Sequence, residues 1–250
     1  MWDKTVLMNG LASALYAVAA VLALYVAWTL ATRLPVFALR EVRVGGELAH
    51  VTREQIEGVV RRELSGNFLT LDLTAVSASF QRLPWVRKAS VRRLWPARLD
   101  VALEEHVALA RWAKSTLVNT QGEVFQAAYD GKLPLFIGPE GMAREIAIQF
   151  RYFRSSLETI GQTPVEVRVS PRRAWQLKLE SGVTLALGRE QVEARLARFV
   201  AVHDRTLARL GRRVENVDLR YSNGFAVRVP ELRHEKAQPK RGQQPGQRAG

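Results

Sequence analysis

The chain has 250 residues, 47% of them hydrophobic and 24% charged, which is the composition of a folded protein and leaves room for one or two domains with real cores. Its 37 Lys and Arg against 24 Asp and Glu give a formal charge of +13, so its surface attracts polyanions, either nucleic acid or anionic lipid. Cysteine is absent, which excludes a disulfide framework, a thiolate nucleophile and a Cys-held metal or iron-sulfur cluster.

Residues 5–32 carry no charge, and 11–30 are almost entirely Leu, Ala, Val and aromatic. A helix of about 20 such residues crosses a hydrocarbon core of roughly 30 Å. We therefore expect a transmembrane helix over 11–32 behind a short tail, 1–10. A core helix would keep a polar face, and a cleaved signal peptide would show a shorter apolar region behind a more basic start. Tyr25 and Trp28 stand toward one end, where amphipathic rings favour the membrane interface. Local charge does not fix the orientation: Arg33, Arg40 and Arg43 follow the helix, but long domains translocate largely regardless of charge.

After the helix the pattern predicts strand, helix, helix, strand, strand. The first strand covers 37–44 and ends at Gly45 and Gly46. Thr52 with Gln55 three residues on is a capping-box signature, and Ile56, Val59, Val60 and Leu64 follow at helical spacing. A second helix is expected over 74–83, closed by Pro84. Residues 86–94 and 99–105 form an antiparallel pair around Trp95, Pro96 and Ala97. Leu99, Val101 and Leu103 alternate there with polar residues, so one sheet face is covered and the other solvated.

The second half is expected to be strand-rich with two longer helices. Met142, Ile146, Phe150, Phe153, Leu157 and Ile160 form one apolar stripe, ended by Gly161 and Pro164. Residues 175–180 and 183–187 read as a hairpin over Ser181 and Gly182, and 189–210 as a second amphipathic helix. A last hairpin pairs 217–221 with 225–229 over Ser222, Asn223 and Gly224. Beyond Pro230 large apolar residues all but vanish, so 231–250 reads as a disordered basic tail.

Catalytic chemistry is not advertised. His50, His106, His203 and His234 are scattered, none with a second ligand at metal spacing, and no phosphate-cradling loop or nucleophile elbow occurs. Glu104 and Glu105 are neighbours in a strand and point to opposite faces, which is no arrangement for an acid-base pair. We expect no enzyme, no cofactor, no metal and no small-molecule substrate. Arg87, Lys88, Arg92, Arg93 and Arg98 crowd one hairpin, with further pairs at Arg172-Arg173 and Arg212-Arg213. They read first as solvated strand and turn charges, and after that as a contact for anionic lipid near the anchor rather than for nucleic acid.

The order of these elements, with several local motifs, resembles the FtsQ/DivIB family of bitopic bacterial cell-division proteins, and the first unit resembles a POTRA domain. Residues 37–46 (FALREVRVGG) look like the family's entry strand, and 83–88 (LPWVRK) with 93–99 (RLWPARL) like its POTRA hairpin. Residues 117–125 (LVNTQGEVF) and 133–141 (LPLFIGPEG) are similar to the opening of its β domain, and 217–221 (VDLRY) to a late strand. The departures are Ala108 where the family usually carries proline, Asn119 where many members carry aspartate, and the very short tail before the helix.

The resemblance implies an α+β chain: a single N-terminal transmembrane helix, a POTRA-like domain over 37–106 and a β domain over 107–230. It implies a non-enzymatic divisome scaffold in the inner membrane, N-terminus cytoplasmic, main domains periplasmic, concentrated at the septum. Such a scaffold links early and late division proteins and recruits FtsB- and FtsL-type partners that control septal peptidoglycan synthesis. The last hairpin offers a strand edge suited to β-augmentation. Arg220, Tyr221, Ser222, Phe225 and Val227 are the expected partner-binding residues, combining a charge, an amphipathic aromatic and apolar anchors. The rival expectations are another POTRA-bearing envelope assembly component, or a membrane-anchored basic domain that binds nucleic acid.

Overall fold

The computed structural model describes residues 4–32, 39–64, 67–113, 115–206, 214–221 and 224–229. The expected tail at 231–250, together with Ser222, Asn223, His234 and the Arg212-Arg213 pair, lies outside them. Helix α1 (Lys4–Thr32) begins seven residues before the expected start at 11, so the short tail is helical from Lys4. No proline interrupts residues 4–10, and the single Gly10 costs only about 1 kcal/mol. Within α1, Met8–Leu30 has a mean hydropathy of 2.0 over 23 residues, and none of it is buried against the rest of the chain. The span is roughly 35 Å long, enough to cross a bilayer. A core helix has a covered face, and among the described residues nothing removes the side chains of this one from water.

The chain divides into two compact units between His106 and Val107. In the first, β1 (Glu41–Gly45) is followed by α2 (Arg53–Glu63), α3 (Leu73–Gln81), β2 (Val86–Leu94) and β3 (Arg98–Glu105). The sheet order is β1-β3-β2, with β1 parallel and β2 antiparallel to β3. Alternation along β3 sends Leu99, Val101 and Leu103 into a core closed by Val59, Val76 and Phe80 of the two helices. The capping box at α2 is present in full: the Gln55 N–H donates to the Thr52 hydroxyl, and the Gln55 side-chain oxygen accepts from the Thr52 N–H. Helix α3 starts one residue before the expected 74, because the Asp72 carboxylate accepts from the N–H groups of Thr74 and Ala75 and caps it there. It ends at Gln81, two residues short of the expected 83.

Among the described residues the second unit places nine strands in one sheet. These are β4 (Ala108–Trp112), β5 (Thr116–Asn119), β6 (Val124–Phe125), β7 (Leu135–Ile137), β8 (Pro164–Val169), β9 (Trp175–Leu179), β10 (Thr184–Gly188), β11 (Asn216–Asp218) and β12 (Ala226–Arg228). Their order is β12-β11-β10-β9-β8-β7-β4-β5-β6. Helices α4 (Ala143–Glu158) and α5 (Val192–Thr206) share one core with the sheet, where Phe150, Phe153 and Phe199 meet Phe136, Leu177, Leu185 and Val217. Helix α4 closes in a Schellman turn: Gln162 N–H donates to the Leu157 carbonyl and Gly161 N–H to that of Glu158, with Gly161 at φ +65°.

Other expected bounds shift as well: β1 ends at Gly45 rather than 44. Helix α5 starts at Val192 rather than 189, since Gly188 at φ +81° and Gln191 at φ +52° are not helical. The last hairpin is shorter than 217–221 with 225–229: its register is Asn216↔Arg228, Val217↔Val227 and Asp218↔Ala226. Pairing stops at Asp218 because its carboxylate folds back onto Arg220 and because α5 takes the carbonyls beyond it.

Candidate functional site

Among the described residues, β12 forms one end of the sheet and has a partner on one side alone. An edge of this kind presents unpaired N–H and C=O groups to an incoming strand. Strand β12 is held by β11, which lies parallel to β10, and the exit from β11 is pinned by α5. The Arg198 guanidinium donates to the carbonyl of Tyr221 at 2.9 Å and reaches that of Leu219 at 3.4 Å. Arg195 donates to the Leu187 carbonyl at 2.6 Å. Both arginines come from the helix that follows β10, and neither was among the expected site residues, because a helical arginine carries no sign in the sequence of which carbonyl it will reach.

Tyr221 is 58% exposed just past β11. Arg220 grips Asp218 through Nε at 2.9 and 3.0 Å and through Nη2 at 2.6 Å. The hydrogen bonds from Arg220, outweighing partial burial, hold the Asp218 carboxyl below its ordinary range, and the same pair raises Arg220. Phe225 and Val227 turn the other way and pack, half-buried, against the core. The structure therefore brings Arg220 and Tyr221 to the surface beside the edge, while Phe225 and Val227 fix the edge from within.

On the sheet face opposite α4 and α5, an open groove of about 880 Å³ runs beside this edge. Gln176, Ala186, Asp218, Arg220, Ala226 and Arg228 line it. Ala226 and Arg228 are exposed along it, while Val227 and Val229, which also border the groove, are half-buried and buried.

His50, His203 and most of the hairpin arginines are engaged in packing and pairing. His50 stacks on Trp85 with ring centroids 3.8 Å apart and lies 3.2 Å from the Glu105 carboxylate. His203 packs against the edge of Phe199. Arg87 pairs with Glu104 and Arg92 with Asp100, both at 2.7 Å, and Arg93 donates to the carbonyls of Phe68, Leu69 and Leu71. Among the described residues no three His, Asp or Glu side chains gather as a metal site.

Both units match known protein families. Residues 37–106 fit the POTRA domain of FtsQ type, and residues 110–220 fit the C-terminal domain of cell division protein FtsQ/DivIB. The cell division protein FtsQ of Nitrosospira multiformis is 48% identical over 235 residues, spanning 91% of this chain and 99% of that protein. That of Burkholderia pseudomallei is 42% identical over 241 residues, spanning 93% and 96%, and that of Neisseria gonorrhoeae is 32% identical over 232 residues, spanning 91% and 95%. With both units matched in order and whole relatives matched nearly end to end, the chain belongs to the FtsQ/DivIB family of cell-division proteins.

Proposed function

We propose that this protein is a non-enzymatic bitopic scaffold of the division machinery, held in the inner membrane by α1, with both folded units in the periplasm and concentrated at the septum. It links early and late division proteins and recruits FtsB- and FtsL-type partners, through which septal peptidoglycan synthesis is controlled. The observation that carries this reading is the open edge of β12 beside an exposed tyrosine. An extended partner segment adds there through its backbone, and alternate side chains reach the groove. Tyr221 supplies a rigid anchor, and Arg220 retains Nη1 for an acidic partner residue while Asp218 holds its other edge. Ser222 completes the predicted contact set, with Phe225 and Val227 supporting the strand.

A fusion after Val229 tests the topology: alkaline phosphatase should be active there and a cytoplasm-only reporter dark. The reverse pattern overturns the periplasmic reading and turns attention to a cytoplasmic polyanion. Loss of partner binding in Tyr221→Ala, with the fold intact, tests the edge itself.

A further inference from the structure

The turn between β2 and β3 carries features that neither the core nor the edge of β12 uses. Trp95 is 67% exposed at its tip, with its ring meeting that of Phe68 edge-on at 5.7 Å between centroids. Arg98 donates to the Trp95 carbonyl at 3.3 Å. The Arg40 backbone N–H donates to the Ala97 carbonyl at 2.9 Å, which fastens the incoming chain to the same turn. Arg92 is neutralised by Asp100, and Arg98 lies across the ladder from Glu41, whose carboxylate is bonded to Arg43; Arg40 and Arg98 themselves form no ion pair within 4 Å among the described residues, so the basic groups here outnumber the acidic ones. The tip thus presents an exposed indole with an excess of positive charge.

The chain also limits how far this tip can travel. Helix α1 ends at Thr32, and Arg40 is already fixed to the turn, so the eight steps between them reach at most roughly 28 Å. The apolar span ends at Leu30, two residues before the helix does. The turn therefore stays within a short radius of the point where α1 leaves the hydrocarbon, whichever side of the membrane it occupies. Indole rings favour the headgroup layer, where the ring meets acyl chains and the N–H meets water. Arginine beside an anionic bilayer gains from the surface potential, and the gain is confined to about a Debye length.

We propose that Trp95, with Arg40 and Arg98, seats this turn on the headgroups of the bilayer that holds α1, with a preference for anionic phospholipid. The amino-terminal unit then has a second attachment beside its anchor. This inference rests on the membrane span and not on the edge of β12, so the two readings fail separately.

The test uses the full chain in nanodiscs made with or without phosphatidylglycerol, part of the lipid carrying bromine near the headgroup to quench nearby indoles. Quenching lost in Trp95→Phe isolates Trp95 from the other tryptophans. Trp95 should be quenched, more strongly with phosphatidylglycerol present. Arg40→Gln and Arg98→Gln should each lower the docked-to-free ratio about fivefold on the anionic discs and little on neutral ones. Identical quenching of wild type and Trp95→Phe in both lipids overturns the proposal. Equal Trp95 quenching in the two lipids, unmoved by the arginine variants, overturns the anionic preference. Trp95 unquenched by lipid but shielded when division partners are added makes the turn a protein-docking surface instead.

Discussion

The guanidinium of Arg198 and the backbone carbonyl of Tyr221 lie 2.9 Å apart, so a side chain of α5 fixes the main chain from which the exposed tyrosine projects. Hydrogen bonds to a charged group contribute about 1.5–3 kcal/mol. Arg198→Ala should destabilise the C-terminal unit by that order and speed amide exchange at 216–218. It should also weaken partner capture without touching a partner directly. Unchanged exchange there would show that β11 holds its own exit.

Tyr221 and Phe225 should separate binding from stability. Tyr221→Ala is expected to weaken partner binding by roughly 1–4 kcal/mol with no change in thermal midpoint, since the ring is mostly in solvent. Phe225→Ala should do the opposite, costing about 1–3 kcal/mol of stability through lost packing against the core. Calorimetry and a partner titration on both variants check the pair.

Acid should loosen the first unit through Glu105. Its side chain is only 6% exposed. Burial acts to raise its pKa, but the N–H groups of Val51, Ala49 and His50, joined by the His50 ring, outweigh it and hold the carboxyl below the ordinary 4.5. A depressed folded value means that the stability from this group is complete above the ordinary value and is lost as pH falls through the lowered one. Glu105→Gln should cost about 1–3 kcal/mol at neutral pH and flatten the acid limb of the stability curve. A variant whose acid limb matches the wild type would refute this assignment.

Asn119, the last residue of β5, is fully buried ahead of the turn to β6; its oxygen accepts from the N–H groups of Gln121 and Glu123 and its amide donates to the Glu123 carboxylate at 2.7 Å. Asn119→Asp replaces that donor with a second negative oxygen and should destabilise at neutral pH. Adding Glu123→Gln should restore most of the loss, because an amide donor then faces the new carboxylate. A double-mutant cycle measures the coupling, expected at about 1–3 kcal/mol.

How much could be read beforehand depended on how local each cause was. The capping box at Thr52 and Gln55 and the pairing of β2 with β3 follow from neighbouring residues and alternation, and both were legible. So was the hairpin of β9 and β10, whose turn needs Gly182 at φ +89°. Strands β4 to β8 carry no such local mark. Strand β7 has three residues and pairs in parallel with β4 and β8, so its partners are set by the core and not by its own sequence. At the candidate site the aromatic and basic residues were legible as types. Which of them face inward was not: Val227 lies opposite the buried Val217, a relation that depends on register.

From β8 to β12 the spatial order of the sheet repeats the order of the chain, each strand lying beside the one made just before it. A polypeptide threading out of a ribosome or a translocation channel lays down this half of the sheet from the inside outward, and of the described strands β12 arrives last. Until it does, the growing sheet ends on β10 or β11, which offer a different set of backbone groups. The outermost strand is thus a mark of completion, and a chain cut short before Ala226 lacks it even when every earlier strand is in place.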